Sequence, residues 1–211
     1  MGSESLANTV SSELGLMAIV LAAANMALGV LLVVRYAPPP GSRFAKIKIL
    51  SVHNWTAYLL MVAMTTHPLM LLFIVKPKFG VASIAVPIFS PVQPVENTLG
   101  AVGFYLLLVV MISSLLRRRL GWRTWKALHL LSYIAAPFLF LHGIFAKPTL
   151  RNTPVDPFDG EKLLVEGCLL FVLAVSLLGV RFKLRQRPSE RPLPMVFRNR
   201  SGLDEAAHPN F

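Results

Sequence analysis

An all-α membrane protein, built as a bundle of about five transmembrane helices, is the fold class this sequence predicts. Three observations predict it. Of 211 residues, 55% are hydrophobic and only 15% are charged, with a mean hydropathy of +0.61; a soluble domain carries nearer a quarter charged residues. Long charge-free apolar runs recur along the chain. The basic residues collect between alternate runs. The same figures exclude other classes. The chain is too apolar for disorder. A single cysteine, Cys168, supports neither a disulfide framework nor a Cys-based zinc or iron–sulfur site. The net charge of +11 would suit nucleic acid, but the hydropathy points to the lipid bilayer instead, and no nucleic-acid partner is expected.

The spans follow in order. Residues 14–34 form an uncharged run of 21 between Glu13 and Arg35. Residues 49–75 form a run of 27 between Lys48 and Lys76. Residues 97–116 and 127–146 form runs of 20 each. At about 1.5 Å per residue each crosses the roughly 30 Å hydrocarbon layer. The fifth run, 163–180, is the shortest and carries Glu166 near its start. Residues 79–95 are also uncharged, but Pro87, Pro91 and Pro94 interrupt them, which predicts an interfacial or re-entrant loop. The leader, residues 1–13, carries Glu4 and Glu13 rather than a positive n-region, so the first run reads as a span and not as a secretory signal.

Charge gives the orientation. With the N-terminus outside, 16 of the 21 basic residues fall inside: Arg35, Arg43, Lys46 and Lys48; Arg117, Arg118, Arg119, Arg123 and Lys126; and seven in the tail. Only Lys76, Lys78, Lys147, Arg151 and Lys162 fall outside. The positive-inside rule selects N-out/C-in, which requires an odd number of spans. The domain plan is then a leader (1–13), a transmembrane domain (14–182) and a flexible cytoplasmic tail (183–211).

Ionisable groups within a bilayer are costly and mark function. Four of the five histidines lie in spans: His53 and His67 on the second, His129 and His142 on the fourth. His208 lies in the polar tail. The spacings of 14 and 13 residues correspond to about 21 and 19.5 Å of helix rise. Both helices start on the inner side, so the histidines match in depth two by two. Such an arrangement can supply two axial ligands to each of two stacked macrocycles. Intramembrane histidines also serve proton relays and helix–helix hydrogen bonds. Thirteen residues leave two side chains roughly 140° apart on an ideal helix, so the fourth span must bend or change phase if both its histidines are to face one partner. Pro137, between its two histidines, predicts where, and Pro68 predicts a similar disturbance on the second span.

The segment Arg118-Arg119-Leu120-Gly121-Trp122-Arg123-Thr124-Trp125-Lys126-Ala127-Leu128-His129, with Tyr133 and His142 after it, resembles the haem-binding core of the ferric reductase-like transmembrane domain family. So does Val52-His53-Asn54-Trp55 through His67-Pro68-Leu69. That family includes ferric reductases, NADPH oxidases and the bacterial haem-binding subunit of the methionine sulfoxide reductase system. The resemblance covers residues 46–146 and implies that His53, His67, His129 and His142 are axial ligands of two b-type haems. It pairs His53 with His129 and His67 with His142. The basic cluster from Arg117 to Lys126 reads as topology signal and phospholipid head-group contact, with Arg123 and Lys126, closest to the fourth span, as the candidates for pairing with haem propionates. Oxidases and ferric reductases continue into a flavin- and nicotinamide-binding module; no Gly-rich dinucleotide loop and no βαβ pattern occur here, so no FAD or NAD(P) site is expected within this chain.

The expected function is that of a di-haem b-type membrane cytochrome, an oxidoreductase electron-transfer subunit of an integral, multi-pass bacterial inner-membrane protein. It would relay single electrons from a separate flavoprotein reductase or a membrane quinol to an outer-side acceptor. The alternatives are a haem-free membrane anchor or assembly subunit of a redox complex, and a proton- or metal-translocating channel. Phe138 and Phe140, between the two haem depths, are read as packing residues or flanks of the electron path. Glu166 is a candidate proton or quinol partner, or an acid favoured by a helix N-terminus.

Overall fold

A computed structural model describes residues 3–39, 41–43, 46–146 and 159–186. Lys147, Arg151, His208 and the tail from residue 187 lie outside the described residues. Among the described residues all regular structure is helical.

α1 (Ser3–Val33) begins ahead of the first apolar run and continues through it. α2 (Ile49–Leu69) carries Pro68 in its last turn and passes directly into a 3₁₀ turn, Met70–Phe73. Proline has no N–H to offer the α-helical ladder, and the tighter turn follows within two residues. The interrupted segment after it holds only α3 (Val81–Ala85) and a 3₁₀ turn at Pro87–Phe89, as its prolines predict. α4 (Pro94–Leu115) is the third span. α7 (Gly160–Gln186) is the fifth. Four helices are long and apolar enough to cross a membrane, and the bent pair α5 (Arg117–His129) plus α6 (Ser132–Phe145) makes a fifth. The all-α membrane bundle of about five spans is therefore the observed fold, and the protein is an integral, multi-pass membrane protein.

The basic stretch from Arg117 is helical, although Gly121 breaks its regularity with φ +74° and ψ 163°. Such a conformation costs glycine little and other residues much. The fourth span also bends at Leu130–Leu131, by 41°, and not at Pro137, which lies within α6. The chain tightens there. Leu131, Tyr133 and Ile134 each bond the carbonyl three residues back. The Ser132 hydroxyl donates to the His129 carbonyl at 2.9 Å, taking up an acceptor that the break releases. Each 3₁₀ step turns about 120° rather than 100°, so three of them advance the helix by roughly 60°. That shift brings His142 toward the face that carries His129.

The packing order sets up the site. α2 lies along α1, and α6 lies along α4. α7 closes the bundle against α1 and α6. α2 carries His53 and His67, α5 ends on His129 and α6 carries His142; α2 packs little on α6, and a slot runs between α2 and the broken span. Midway along it, Leu60, Ala63 and Met64 of α2 join Ala136, Leu139 and Phe140 of α6 in one buried core with α1 and α7. Phe140 is wholly buried there, which makes it a packing residue. Many large apolar side chains, such as Leu170, Leu177 and Leu178, face outward. In a bilayer these contact lipid.

Candidate haem-binding sites

The four intramembrane histidines meet as two pairs. His53 of α2 faces His129 of α5 with ring centroids 6.2 Å apart and planes inclined at 57°. His67 of α2 faces His142 of α6 at 6.1 Å and 68°. With a metal–imidazole bond of ~2 Å on each side and ~1 Å from ring nitrogen to ring centre, two imidazoles sharing one metal ion have centroids about 6 Å apart. Both pairs therefore stand at the separation that an iron between them requires. Among the described residues no three or more His, Cys, Asp or Glu are gathered together; histidines come in twos, the number of axial positions on a haem.

Each ring is fixed from behind. His67 Nδ1 lies 2.7 Å from the Ser11 carbonyl, His142 Nδ1 lies 2.7 Å from the Glu96 carbonyl, and His53 Nδ1 lies 3.2 Å from the Asn25 carbonyl. A carbonyl can only accept, so Nδ1 carries the proton and Nε2 keeps its lone pair for a ligand. Asn25 further donates to the His53 carbonyl and to Thr56 Oγ1. Ser11 Oγ donates to the His67 carbonyl at 2.9 Å.

Room for the rings comes from glycines one helical turn beyond each carbonyl. A Cβ on Gly15 would lie 3.1 Å from His67 Cε1, and one on Gly100 would lie 2.9 Å from His142 Cγ. Gly29 stands behind His53 in the same way, with more space: 3.6 Å to Cε1. The fourth place in this scheme belongs to Ser114. Its hydroxyl donates to the Val110 carbonyl and accepts from His129 Nδ1 at 3.3 Å and from Trp125 Nε1 at 3.4 Å. Gly15 and Gly29 are 14 residues apart, as are Gly100 and Ser114. α1 thus backs both histidines of α2, and α4 backs both of the broken span. The 14-residue recurrence on the first and third spans was the sequence signal for these supporting residues.

The two ends differ in their surroundings. The His67–His142 pair lines a cavity of about 420 Å³ whose walls include Ser11, Gly15, Met64, Gly100, Leu139 and Lys162. Segments from the 79–93 loop roof it. Lys162, expected among outer-loop charges, is instead buried, with 5% of its surface exposed. Its ammonium donates to the Gly143 carbonyl at 2.9 Å and to the Ala146 carbonyl, where the end of a helix favours a cation. At the other end, Trp125 stacks on His129 at 5.0 Å and on Trp122 at 5.0 Å, and the Arg117 guanidinium lies 4.8 Å from the Trp125 ring centre. Arg123 and Lys126 are exposed on α5; Arg117 is the basic side chain stacked beside His129. Glu166 is half-buried on α7.

The slot, the two imidazole separations, the four oriented Nδ1 groups and the cavity together fit haem, whose iron takes imidazole above and below its plane. No curated protein and no solved structure matches the chain. The family model described as ferric reductase like transmembrane component matches residues 18–142, more than half of the chain and all four histidines. Families of this kind generally bind haem and move electrons within a membrane. The chain belongs to the ferric reductase-like transmembrane component family.

Proposed function

We propose that the protein is a di-haem b-type cytochrome that relays single electrons across the membrane. His53 and His129 hold one haem b, and His67 and His142 hold the other. Bound between two imidazoles, haem supplies one-electron ferric/ferrous chemistry at a potential set by its ligands and their surroundings. The chain's own part is to bind, orient and insulate. Its α1 and α4 carbonyls and the Ser114 hydroxyl hold the rings in one tautomer, its glycines admit them, and its buried apolar core insulates them. The single observation that carries the reading is the equal separation, 6.2 and 6.1 Å, of two histidine pairs at the two ends of one slot.

The excess of basic residues at the His53–His129 end supports an inner location for that pair and an N-out/C-in topology, in a bacterial inner membrane. The donor at that end is a separate flavoprotein reductase or a membrane quinol. The acceptor lies outside, near His67 and His142. Arg123 and Lys126 are positioned on α5 to meet propionates or phospholipid at the inner surface.

Vesicles test this. With reductant trapped inside and an impermeant acceptor outside, inward-facing His53–His129 ends should support acceptor reduction, and His53→Ala should abolish it. Equal acceptor reduction by the wild type and His53→Ala would contradict the relay.

A further inference from the structure

The slot is closed unequally on its two long sides. α7 covers the side between α1 and α6. No described helix covers the opposite side, where α2 and α4 face each other and pack little. Near His67 and His142 this gap is capped but not filled. The Tyr105 hydroxyl of α4 donates to the Ala85 carbonyl. Asn97 Nδ2 donates to Ser90 Oγ at 3.1 Å and to the Val92 carbonyl at 3.0 Å. These bonds hang the 79–93 roof from α4, over the top of the cavity.

The rims of the gap belong both to the cavity and to the outer surface. Thr65 and Leu69 of α2, Tyr105 of α4 and Val81 of α3 line the cavity and are exposed. Met64, Leu139 and Val165 line the same cavity and are at most 8% exposed. The cavity interior therefore adds little exposure, and the rims open to the outside, which at this depth is lipid. No Asp, Glu, Lys or Arg occurs in 49–75, 79–95 or 97–116. Thr65 Oγ1 donates to the Met61 carbonyl at 2.8 Å, so it makes no demand on an apolar ring passing it. The cavity also lies near the outer end of its spans: His142 Nδ1 bonds the carbonyl of Glu96, the acid that precedes the third apolar run. Haem dissolved in a bilayer lies at a similar depth, with its macrocycle among the acyl chains and its carboxylates at the surface, because burying those charges is costly.

We propose that the gap between α2 and α4 is a lateral port through which the chain takes up the haem of His67 and His142 from the surrounding lipid, and not from water through the roof. The inference rests on the two-haem reading above. The test uses full-length protein in lipid nanodiscs, depleted of haem, with Cys168→Ser removing the native thiol. Haem is added and counted per chain by the reduced-minus-oxidised spectrum. Thr65→Cys, labelled before haem addition with a maleimide too large for the cavity of about 420 Å³, should take up one haem, the one that remains in His142→Ala. The same label attached after loading should leave both haems in place. Leu69→Cys, on the same rim, should repeat this result. Phe89→Cys, at a position 74% exposed on the roof, should load both haems in either order. Full loading of the pre-labelled rim variants, loss of that haem in both orders, or a block by the label at Phe89 would each overturn the port. Unlabelled wild-type protein that takes up only one haem, or none, defeats the two-haem reading instead.

Discussion

Gly100 and His142 stand so close that a single added carbon would collide: a Cβ on Gly100 would lie 2.9 Å from His142 Cγ. The contact joins α4 to α6 and fixes the ring whose Nδ1 bonds the Glu96 carbonyl one turn earlier on α4. The corresponding contact of Gly29 with His53 is looser, at 3.6 Å.

Glycine replacement should therefore be graded. Gly100→Ala forces His142 to move, an overpacking that costs about 1–3 kcal/mol, and should lower haem content at the His67–His142 pair. Gly29→Ala enters ordinary contact distance and should leave both sites filled. Haem-to-protein ratios of the two purified variants check the order; greater loss from Gly29→Ala would contradict it.

At His129 the Nδ1 acceptor is the Ser114 hydroxyl and not a backbone carbonyl. Ser114→Ala removes the oxygen shared by His129 and Trp125. Loss of such a supporting group typically lowers metal-site affinity about 10–100-fold. Haem should be lost selectively from the His53–His129 pair, read by haem titration into the protein, with the other pair unaffected.

Asn25 ties α1 to α2 through the His53 carbonyl at 2.6 Å and Thr56 Oγ1 at 2.7 Å. Hydrogen bonds between membrane helices contribute about 0.6 kcal/mol on average and up to ~1.7 kcal/mol. Asn25→Leu should lower the unfolding free energy in detergent by an amount in that range, measured by denaturant titration. An unchanged or raised value would mean that α1 holds α2 by apolar packing alone.

Topology is independently open to measurement. A reporter fused after residue 186 should be active on the cytoplasmic side, and one fused in the 76–93 loop on the opposite side. The reverse pattern would invert the direction of electron flow proposed here.

Much of the architecture was legible in the sequence because hydropathy is local. A charge-free run long enough to cross a bilayer needs no knowledge of its neighbours, and the four long apolar helices and the bent pair appear where such runs occur. The histidine pairing was legible too, since depth follows from residue count. The break at Leu130–Leu131 was not. Leucine carries no breaking signal, and the bend depends on how Ser132 takes up the His129 carbonyl. Pro137 removes one hydrogen bond from α6, and the helix continues through it. The burial of Lys162 was not legible, because it depends on where α6 ends in space, at carbonyls 16 to 19 residues earlier in the chain. Arg117, beside Trp125, owes its place to the helical form of its stretch.

The most direct test of the account counts haem. Full-length protein expressed under haem-replete conditions and purified should show a b-type reduced-minus-oxidised spectrum with two haems per chain. His67→Ala and His142→Ala should each leave one, and the same one. Absence of a b-type band from the wild type, or removal of different haems by the two variants, would contradict the pairing on which the account stands.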